Sequence, residues 1–320
     1  MISPKTLRFL RKNYKKLGGK KKYRPIRTSD PNKASEMILD ILKTGCPCMI
    51  ARYGATELAA VVNHIGVNHS SHSAVDYIKG VIPEWWWDEK GMKMMENNAG
   101  FFPANSETLT RFGELMMEDG KQLDFLASWL SNERFIEGIE SIPKATLLSI
   151  EPWWSNNPWT QWLKGKKVLV VHPFAELMKK QYELKRESLF LNPMVLPEFG
   201  ELTVIKAVQS LGGGNTEFSN WFEALNSMKA QMDSIDYDVC LIGCGAYGFP
   251  LAAHAKRTGH QAIHLGGVLQ LLFGIKGKRW EDPNYNNRYN YTTLFNDSWV
   301  KPGEDLKPSN YRAVEGGCYW

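Results

Sequence analysis

The chain has 320 residues, of which 43% are hydrophobic and 23% are charged, and its formal net charge is +5. This composition is typical of a globular protein and excludes the disordered, collagen-like and disulfide-scaffold classes. The five cysteines are an odd number and match no zinc-ligand spacing, so we expect a reducing compartment and no structural zinc.

The basic charge is concentrated at the start of the chain. Residues 1–27 contain eleven Lys or Arg and no Asp or Glu, whereas the remainder has 28 basic and 34 acidic residues. One apolar stripe at helical spacing is formed by Leu7, Leu10, Tyr14 and Leu17. We therefore predict a basic amphipathic arm over residues 1–28 that faces either an anionic membrane surface or solvent. Because no recognition motif accompanies the charge, nucleic acid is not an expected partner.

Localisation follows from the same segment. The charged start is not followed by an apolar core and a small-residue cleavage site, so the sequence predicts a cytoplasmic protein without a secretory signal. The arm would place it peripherally on the inner face of the membrane.

From residue 29 onward, short apolar runs alternate with helical patterns, which predicts an α/β fold. We expect a parallel or mostly parallel Rossmann-like sheet covered by helices over residues 29–320. The predicted strands are 48–52, 146–150, 167–171, 202–207, 238–242 and 261–265. The predicted helices are 34–42, 56–64, 106–118, 174–187, 217–233 and 250–258. A break near 164–167 leaves open whether 29–165 and 166–320 are two lobes or share one sheet.

A short turn after the first of these strands carries charged side chains. Arg52 ends the strand, Gly54 lies in the turn, and Thr56 and Glu57 begin the next helix. Arg52 is suited to bidentate phosphate binding, and Glu57 to binding a cation, accepting a substrate hydroxyl or acting as a base. The alternative is purely structural, with Thr56 as the helix N-cap and Glu57 as a first-turn acid.

The next candidate is a G-x-G-x-x-G turn after the strand at 238–242. Gly243, Gly245 and Gly248, together with Tyr247, are predicted to let a phosphate approach the backbone at a helix N-terminus. Three interpretations remain open: a nucleotide or nucleotide-sugar site, a nicotinamide or flavin site, and a tight turn alone. His264 stands where a dinucleotide enzyme has a ribose-binding acid, which disfavours the second.

Two further segments place polar groups at predicted strand ends. His172 is expected to be a general base, a phosphate ligand or a structural hydrogen-bonding residue. Gln270 and the cations Lys276, Lys278 and Arg279 are predicted to bind substrate. The cations lie in a loop with two glycines and are suited to a diphosphate. The alternative is a solvated run of charges.

Eight of the twelve tryptophans lie between residues 85 and 162. Aromatic rings among amides are suited to stacking on sugar faces. Core packing and a subunit interface are the competing explanations.

Two segments resemble a known family. The sequence RYGATE at 52–57 resembles the R-[FY]-G-D-G-E motif of GT-D-type glycosyltransferases, and GHQAIHLG at 259–266 resembles their G-x-Q-A-I-D-I-G segment. The family's D-x-E pair, implied to handle a nucleotide-sugar and its metal, falls on Ala55 and Glu57, and its late aspartate falls on His264. Residues 172–174, 243–250 and 265–280 resemble proteins of bacterial capsular or surface-polysaccharide loci.

The resemblance implies a GT-D-like glycosyltransferase that uses a nucleotide-sugar donor and a saccharide acceptor in capsule or O-antigen biosynthesis. Glu57 is the expected base. Mn or Mg is implied with the donor, although Ala55 removes one of the two carboxylates. Two alternatives stay open, namely a nicotinamide-dependent sugar-modifying enzyme and a non-catalytic glycan-binding scaffold.

Overall fold

Seven parallel strands form one sheet in the computed structural model, which describes residues 2–18, 25–211, 217–308, 310–313 and 316–320. The strands are β1 (Cys48–Ala51), β2 (Phe125–Ser128), β3 (Lys144–Thr146), β4 (Lys167–His172), β5 (Glu201–Lys206), β6 (Val239–Ile242) and β7 (Gln261–His264). Their order across the sheet is β3-β2-β1-β7-β6-β4-β5. The predicted α/β class with a parallel, Rossmann-like sheet is therefore confirmed.

Helices cover both faces of this sheet. They are α1 (Pro4–Lys16), α2 (Pro31–Lys43), α3 (Ala55–Val67), α4 (Ala74–Lys79), α5 (Glu89–Ala99), α6 (Ser106–Gly120), α7 (Ala175–Leu189), α8 (Trp221–Asp233), α9 (Gly248–Arg257) and α10 (Leu269–Leu272). Side chains of α3, α6, α8 and α9 share one core with one sheet face, and those of α2, α7 and α10 share a second core with the other. Four strands, β1, β2, β6 and β7, are buried along their whole length, as is typical of a parallel sheet covered on both faces.

The connections change direction between β4 and β6. From β4 the chain crosses through α7 to β5, and from β6 it crosses through α9 to β7 in the opposite direction. Because such crossovers are right-handed, α7 and α9 lie on opposite faces, and a crevice opens at the carboxyl ends of β4 and β6. This switch point is where an open α/β sheet binds its ligand.

Strand β1 lies beside β7, with Ile50 opposite Ile263. The sheet is thus continuous across the break at residues 164–167, and the segments 29–165 and 166–320 share it. This pairing brings the turn after β1 to the edge of the sheet that holds the crevice.

One predicted strand is displaced in the structure, and several elements of the structure were not predicted. The strand predicted at 146–150 is displaced, because β3 ends at Thr146 and Leu147–Ile150 forms a 3-10 helix. Strand β2 and helices α4 and α5 were not predicted. Strand β2 has only four residues, all buried, so no alternation marks it. Helix α5 has a short apolar stripe of Met92, Met95 and Ala99 that faces the core and was overlooked in the sequence.

Helix α1 is attached to the body, which corrects the predicted membrane-facing stripe. Leu7 is buried at 3% exposure between α1 and α4, whereas Leu10 and Leu17 are 38% and 86% exposed. The stripe is divided because Arg8 binds Glu84 and turns the Leu7 side of the helix toward the protein. None of the helices within the described residues has the length and apolar character needed to cross a lipid bilayer.

Candidate functional site

A cleft with an empty volume of about 910 Å³, partly open to solvent, lies at the carboxyl ends of β1, β4, β6 and β7. Ten of the predicted site residues line it, namely Arg52, Gly54, Thr56, Glu57, His172, Gly243, Gly245, His264, Gln270 and Arg279. They come from segments that are far apart in sequence. The parallel sheet brings them together because its strand ends meet at one edge.

Arg52 follows β1 and lies on the face of an indole ring. Its guanidinium carbon is 5.3 Å from the centre of the Trp129 ring, and Trp129 is fixed by donating its indole N–H to the carbonyl of Tyr53 at 2.9 Å. The Nε atom of Arg52 is buried and has no hydrogen-bond partner within the described residues. Arg52 therefore keeps donor capacity for an anionic ligand. Trp129 was not singled out by the sequence because it follows the unpredicted strand β2.

Gly54 and Glu57 are coupled at the start of α3. Gly54 is the N-cap residue, so the alternative that Thr56 caps the helix is wrong. The carboxylate of Glu57 folds back over Gly54, and a Cβ at Gly54 would overlap it. The N-terminal end of the helix macrodipole stabilises a negative charge in this first turn. The turn thus holds one carboxylate at the edge of the cleft.

His172, the last residue of β4, is a neutral imidazole. Its Nδ1 accepts the backbone N–H of Phe174 at 2.9 Å, which assigns the ring proton to Nε2. Burial lowers the pKa of His172 to about 3. Such a group donates a hydrogen bond to a ligand through Nε2 and has little capacity to take up a proton, which favours ligand binding over general-base catalysis.

His264, the last residue of β7, has the opposite tautomer. Its Nδ1 donates to the carbonyl of Ile242 at 3.2 Å, which leaves Nε2 as an acceptor. Burial, reinforced by the positive charge of Arg52, lowers the pKa of His264 to about 3. The cleft therefore combines one imidazole donor and one imidazole acceptor, both uncharged at neutral pH.

The glycines of the G-x-G-x-x-G turn mainly allow close packing against neighbouring side chains. The N–H of Gly243 donates to the carbonyl of Val171 at 3.0 Å, so the sheet and not a phosphate takes this donor. A Cβ at Gly243 would lie 3.0 Å from Cδ2 of His172, and a Cβ at Gly248 would overlap the imidazole of His264. Gly245 lines the cleft at φ +58°, in the left-handed region that favours glycine. The structural interpretation of the motif therefore accounts for all three glycines, and Gly243 and Gly245 also line the cleft.

Four predicted site residues lie outside the cleft, and three of them pack against other side chains. Gly248 packs on His264, and the hydroxyl of the buried Tyr247 is 3.0 Å from Oγ of Ser210. The ammonium of Lys276 is 5.6 Å from the centre of the Phe295 ring. Lys278 is exposed at the surface. The predicted cationic loop therefore contributes one residue, Arg279, whose guanidinium lies 4.5 Å from the centre of the Tyr319 ring.

Two glutamines keep unsatisfied polar atoms in the cleft wall. Gln270 is fully buried and donates to the carbonyls of Ile275 and Tyr319 at 3.3 and 3.1 Å, but its Oε1 has no partner in the described part of the chain. Gln209 follows β5, lines the cleft and was not predicted; its Nε2 is likewise buried without a partner in the described part of the chain. A buried polar atom without a partner costs roughly 1–3 kcal/mol, so these groups favour a ligand that satisfies them.

Most of the tryptophans between residues 85 and 162 lie outside the cleft. Trp159 is fully buried and donates to the carbonyl of Ile150 at 2.7 Å. Trp85 and Trp86 pack edge to face with Tyr77. The predicted sugar platform is therefore reduced to Trp129 from that region; Tyr319 and Trp320, which fold back from the end of the chain, add two further rings.

The donor set does not fit a divalent metal of the kind that the family resemblance implies. Glu57 is the one carboxylate among the described residues that line the cleft. Throughout the described ranges, no three His, Cys, Asp or Glu side chains are placed to hold a metal ion. Ala55 supplies no ligand, so we derive no catalytic step through a metal.

Comparisons with known proteins add one structural likeness. No protein-family model matches the chain, and no curated protein matches it. A solved structure described as the selenomethionine-substituted structure of domain of unknown function 1792 is similar to it, with a TM-score of 0.39 and 11% identity. The match covers 94% of this chain and 96% of that chain.

Proposed function

We propose that the protein is a glycosyltransferase-like enzyme of surface-polysaccharide assembly that binds a nucleotide-sugar in this cleft. The observation that carries the proposal is the guanidinium of Arg52, which lines the cleft, lies against Trp129 and has a buried Nε without a partner in the described structure. A guanidinium held in this way is suited to the diphosphate of a donor. The resemblance of residues 52–57 and 259–266 to GT-D-type glycosyltransferases points in the same direction.

The neutral groups of the cleft suit the sugar part of such a donor. The carboxamides of Gln209 and Gln270 and the two imidazoles offer both donors and acceptors to hydroxyl groups. The rings of Trp129 and Tyr319 offer apolar faces to sugar C–H groups. A ligand that carries two phosphates, several hydroxyls and an apolar ring face satisfies all these groups together.

The proposed chemistry is transfer of a glycosyl group to an acceptor hydroxyl. Glu57 takes the hydroxyl proton while the acceptor oxygen forms a bond to the anomeric carbon of the donor. The bond from that carbon to the phosphate oxygen breaks, and the nucleoside diphosphate leaves with the electron pair. Arg52 and Arg279 stabilise the negative charge that develops on it.

The first test is the change of Glu57→Gln. We expect turnover to fall at least roughly 100-fold because the base is lost, with the dissociation constant of the donor unchanged within a few-fold. The matched control is Glu107→Gln, since Glu107 is likewise a first-turn acid; it lies exposed on α6, outside the cleft. Turnover that survives Glu57→Gln would remove this residue from the mechanism.

A thermal-shift panel tests the ligand class. Nucleotide-sugars, free nucleotides, nicotinamide cofactors and simple glycans are compared with and without manganese. A ligand at 100 times its dissociation constant stabilises the fold by about 2.7 kcal/mol, which raises Tm by a few degrees. A response to one nucleotide-sugar supports the proposal, whereas a response to glycans alone supports the scaffold and a response to a nicotinamide cofactor supports the oxidoreductase.

A further inference from the structure

Helix α1 has an inner side that fixes it to the protein. Leu7 is buried with Tyr77 and Ile82. Nε of Arg8 donates to Oε1 of Glu84 at 3.1 Å, and the same guanidinium binds Asp88. These contacts hold α1 in one orientation, so its other side is a defined surface of the protein.

The outer side of α1 is both apolar and basic. Phe9 is 62% exposed and Leu17 is 86% exposed, and Leu10 lies partly exposed beside them. Three exposed lysines accompany these side chains: Lys5, Lys12 and Lys16. The sequence contains no acidic residue before Asp30 to neutralise them. Phe9 was outside the predicted stripe, and the ion pair of Arg8 is what turns it outward.

A groove beside α1 adds further positive charge. It is lined by four cations, Arg8, Arg11, Lys12 and Lys15, and by the single carboxylate of Glu84, which is paired with Arg8. Nε of Arg11 is buried without a partner in the described part of the chain. Burial lowers the pKa of Lys15, and the charges of Arg11 and Arg134 lower it further, against a smaller opposing effect of Glu84. A phosphate in this groove would relieve the repulsion among these cations.

We propose that the outer side of α1 binds the surface of an anionic phospholipid bilayer. Phe9 and Leu17 enter the boundary between headgroups and acyl chains, and the lysines and the groove contact lipid phosphates. Exposed aromatic and aliphatic side chains beside lysines are complementary to a surface that is anionic outside and apolar below. Duplex nucleic acid would match the charge but would leave Phe9 and Leu17 in water. This inference concerns a surface separate from the cleft and does not depend on the proposed function.

The test uses the full chain and sedimentation with vesicles. We expect binding to vesicles that contain phosphatidylserine and none to vesicles of phosphatidylcholine alone. Replacing Lys5, Lys12 and Lys16 with Gln should weaken partitioning about 100-fold, since each charge contributes roughly 1 kcal/mol near an anionic surface. Replacing Phe9 and Leu17 with Ser should weaken it at least about 10-fold, because two apolar side chains no longer leave water.

Matched controls come from exposed residues elsewhere on the protein. Lys33, Lys180 and Lys185 are exposed lysines for a triple change to Gln, and Leu184 and Leu191 are 65% and 107% exposed for a double change to Ser. These variants should sediment like the wild type, and circular dichroism should show the same helix content in every variant.

Three results would overturn the proposal. One is wild-type protein that stays in the supernatant with phosphatidylserine vesicles. Another is a lysine variant that loses binding to vesicles and to a DNA duplex alike while the Phe9 and Leu17 variant keeps both, which would identify a general polyanion site. The third is a wild-type dimer in sedimentation velocity that the Phe9 and Leu17 changes convert to a monomer without affecting vesicle binding.

Discussion

Two regions of the molecule bury polar side chains in opposite ways. In the cleft, Arg52, Gln209 and Gln270 each keep a buried atom without a partner among the described residues. Beside the core that contains α2 and α7, Glu151 is 3% exposed and accepts hydrogen bonds from the Tyr291 hydroxyl at 2.8 Å and from Nε1 of Trp154 at 2.8 Å. The Glu151 cluster therefore ties distant parts of the chain together, whereas the cleft keeps binding capacity for a ligand.

The largest expected effect in this comparison is the loss of the Glu151 side chain. Glu151→Ala leaves a cavity and removes the acceptor of Tyr291 and Trp154, so we expect the free energy of unfolding to fall by about 4 kcal/mol. Urea unfolding followed by circular dichroism measures it. A loss below about 1 kcal/mol would mean that the cluster does not contribute to stability and that the contrast with the cleft is unfounded.

A substitution in the glycine turn tests whether packing around His264 contributes to the stability of the fold. Gly248→Ala should lower the free energy of unfolding by about 3 kcal/mol, because the added methyl group overlaps the His264 imidazole. Gly91→Ala is the matched change on helix α5, where a Cβ would lie 3.3 Å from Oδ1 of Asp88, and it should be neutral or stabilising. Equal effects of the two changes, seen in thermal unfolding, would argue against the packing explanation of the motif.

The two regions also predict opposite pH dependences. Burial raises the pKa of Glu151 from 4.5 to about 8, so the folded state holds a proton that the unfolded chain has released, and stability falls as pH rises through this interval. The lowered pKa values of His172 and His264 make stability rise with pH between about 3 and 6.5.

Above pH 6.5 the two histidines no longer change stability, so the effect of Glu151 can be measured alone. Between pH 6.5 and 8 the wild type should lose about 2 kcal/mol of unfolding free energy, and Glu151→Gln should remove most of that slope. Urea titrations of both proteins at several pH values measure it. If the unfolding free energy of Glu151→Gln fell with pH as steeply as that of the wild type, a group other than Glu151 would release the proton.

The smallest expected effect on stability belongs to the cleft. Gln209→Leu removes a buried amide nitrogen that has no partner in the described structure, so the free energy of unfolding should not fall and should rise by at most about 1 kcal/mol. Gln270→Leu is the contrasting change, because it removes two hydrogen bonds and should cost about 2 kcal/mol. Denaturant unfolding compares the two, and both should weaken the nucleotide-sugar response. If Gln209→Leu were as unstable as Gln270→Leu, Nε2 of Gln209 would have a partner in the folded protein and would not be available to a ligand.

Much of the cleft could be predicted because its residues follow strands that the sequence marks clearly. Arg52, His172 and Gly243 come directly after apolar runs, and a parallel sheet brings such positions to one edge. The roles of Tyr247 and Gly248 could not be predicted, since the 3-10 turn at Gly245–Tyr247 decides which side chains face the cleft.

The remaining wall of the cleft depends on long-range packing. Trp129 follows the short strand β2, which carries no periodic signal. Trp320 is held at the cleft by the hydrogen bond from its indole N–H to the carbonyl of Leu306 and by a ring contact with Phe174, which is far away in sequence. No local pattern encodes such a return of the chain.

The pairing of β1 with β7 has a consequence for synthesis of the protein. Cys48 leaves the ribosome roughly 200 residues before Gln261, its partner across the sheet. Until then, one edge of β1 carries backbone groups without their final partners, and an open edge of this kind is a site for unwanted association. We therefore expect a chain interrupted near residue 165 to yield an N-terminal fragment that needs its complementary half during expression. The cleft is completed only when early and late parts of the nascent chain meet.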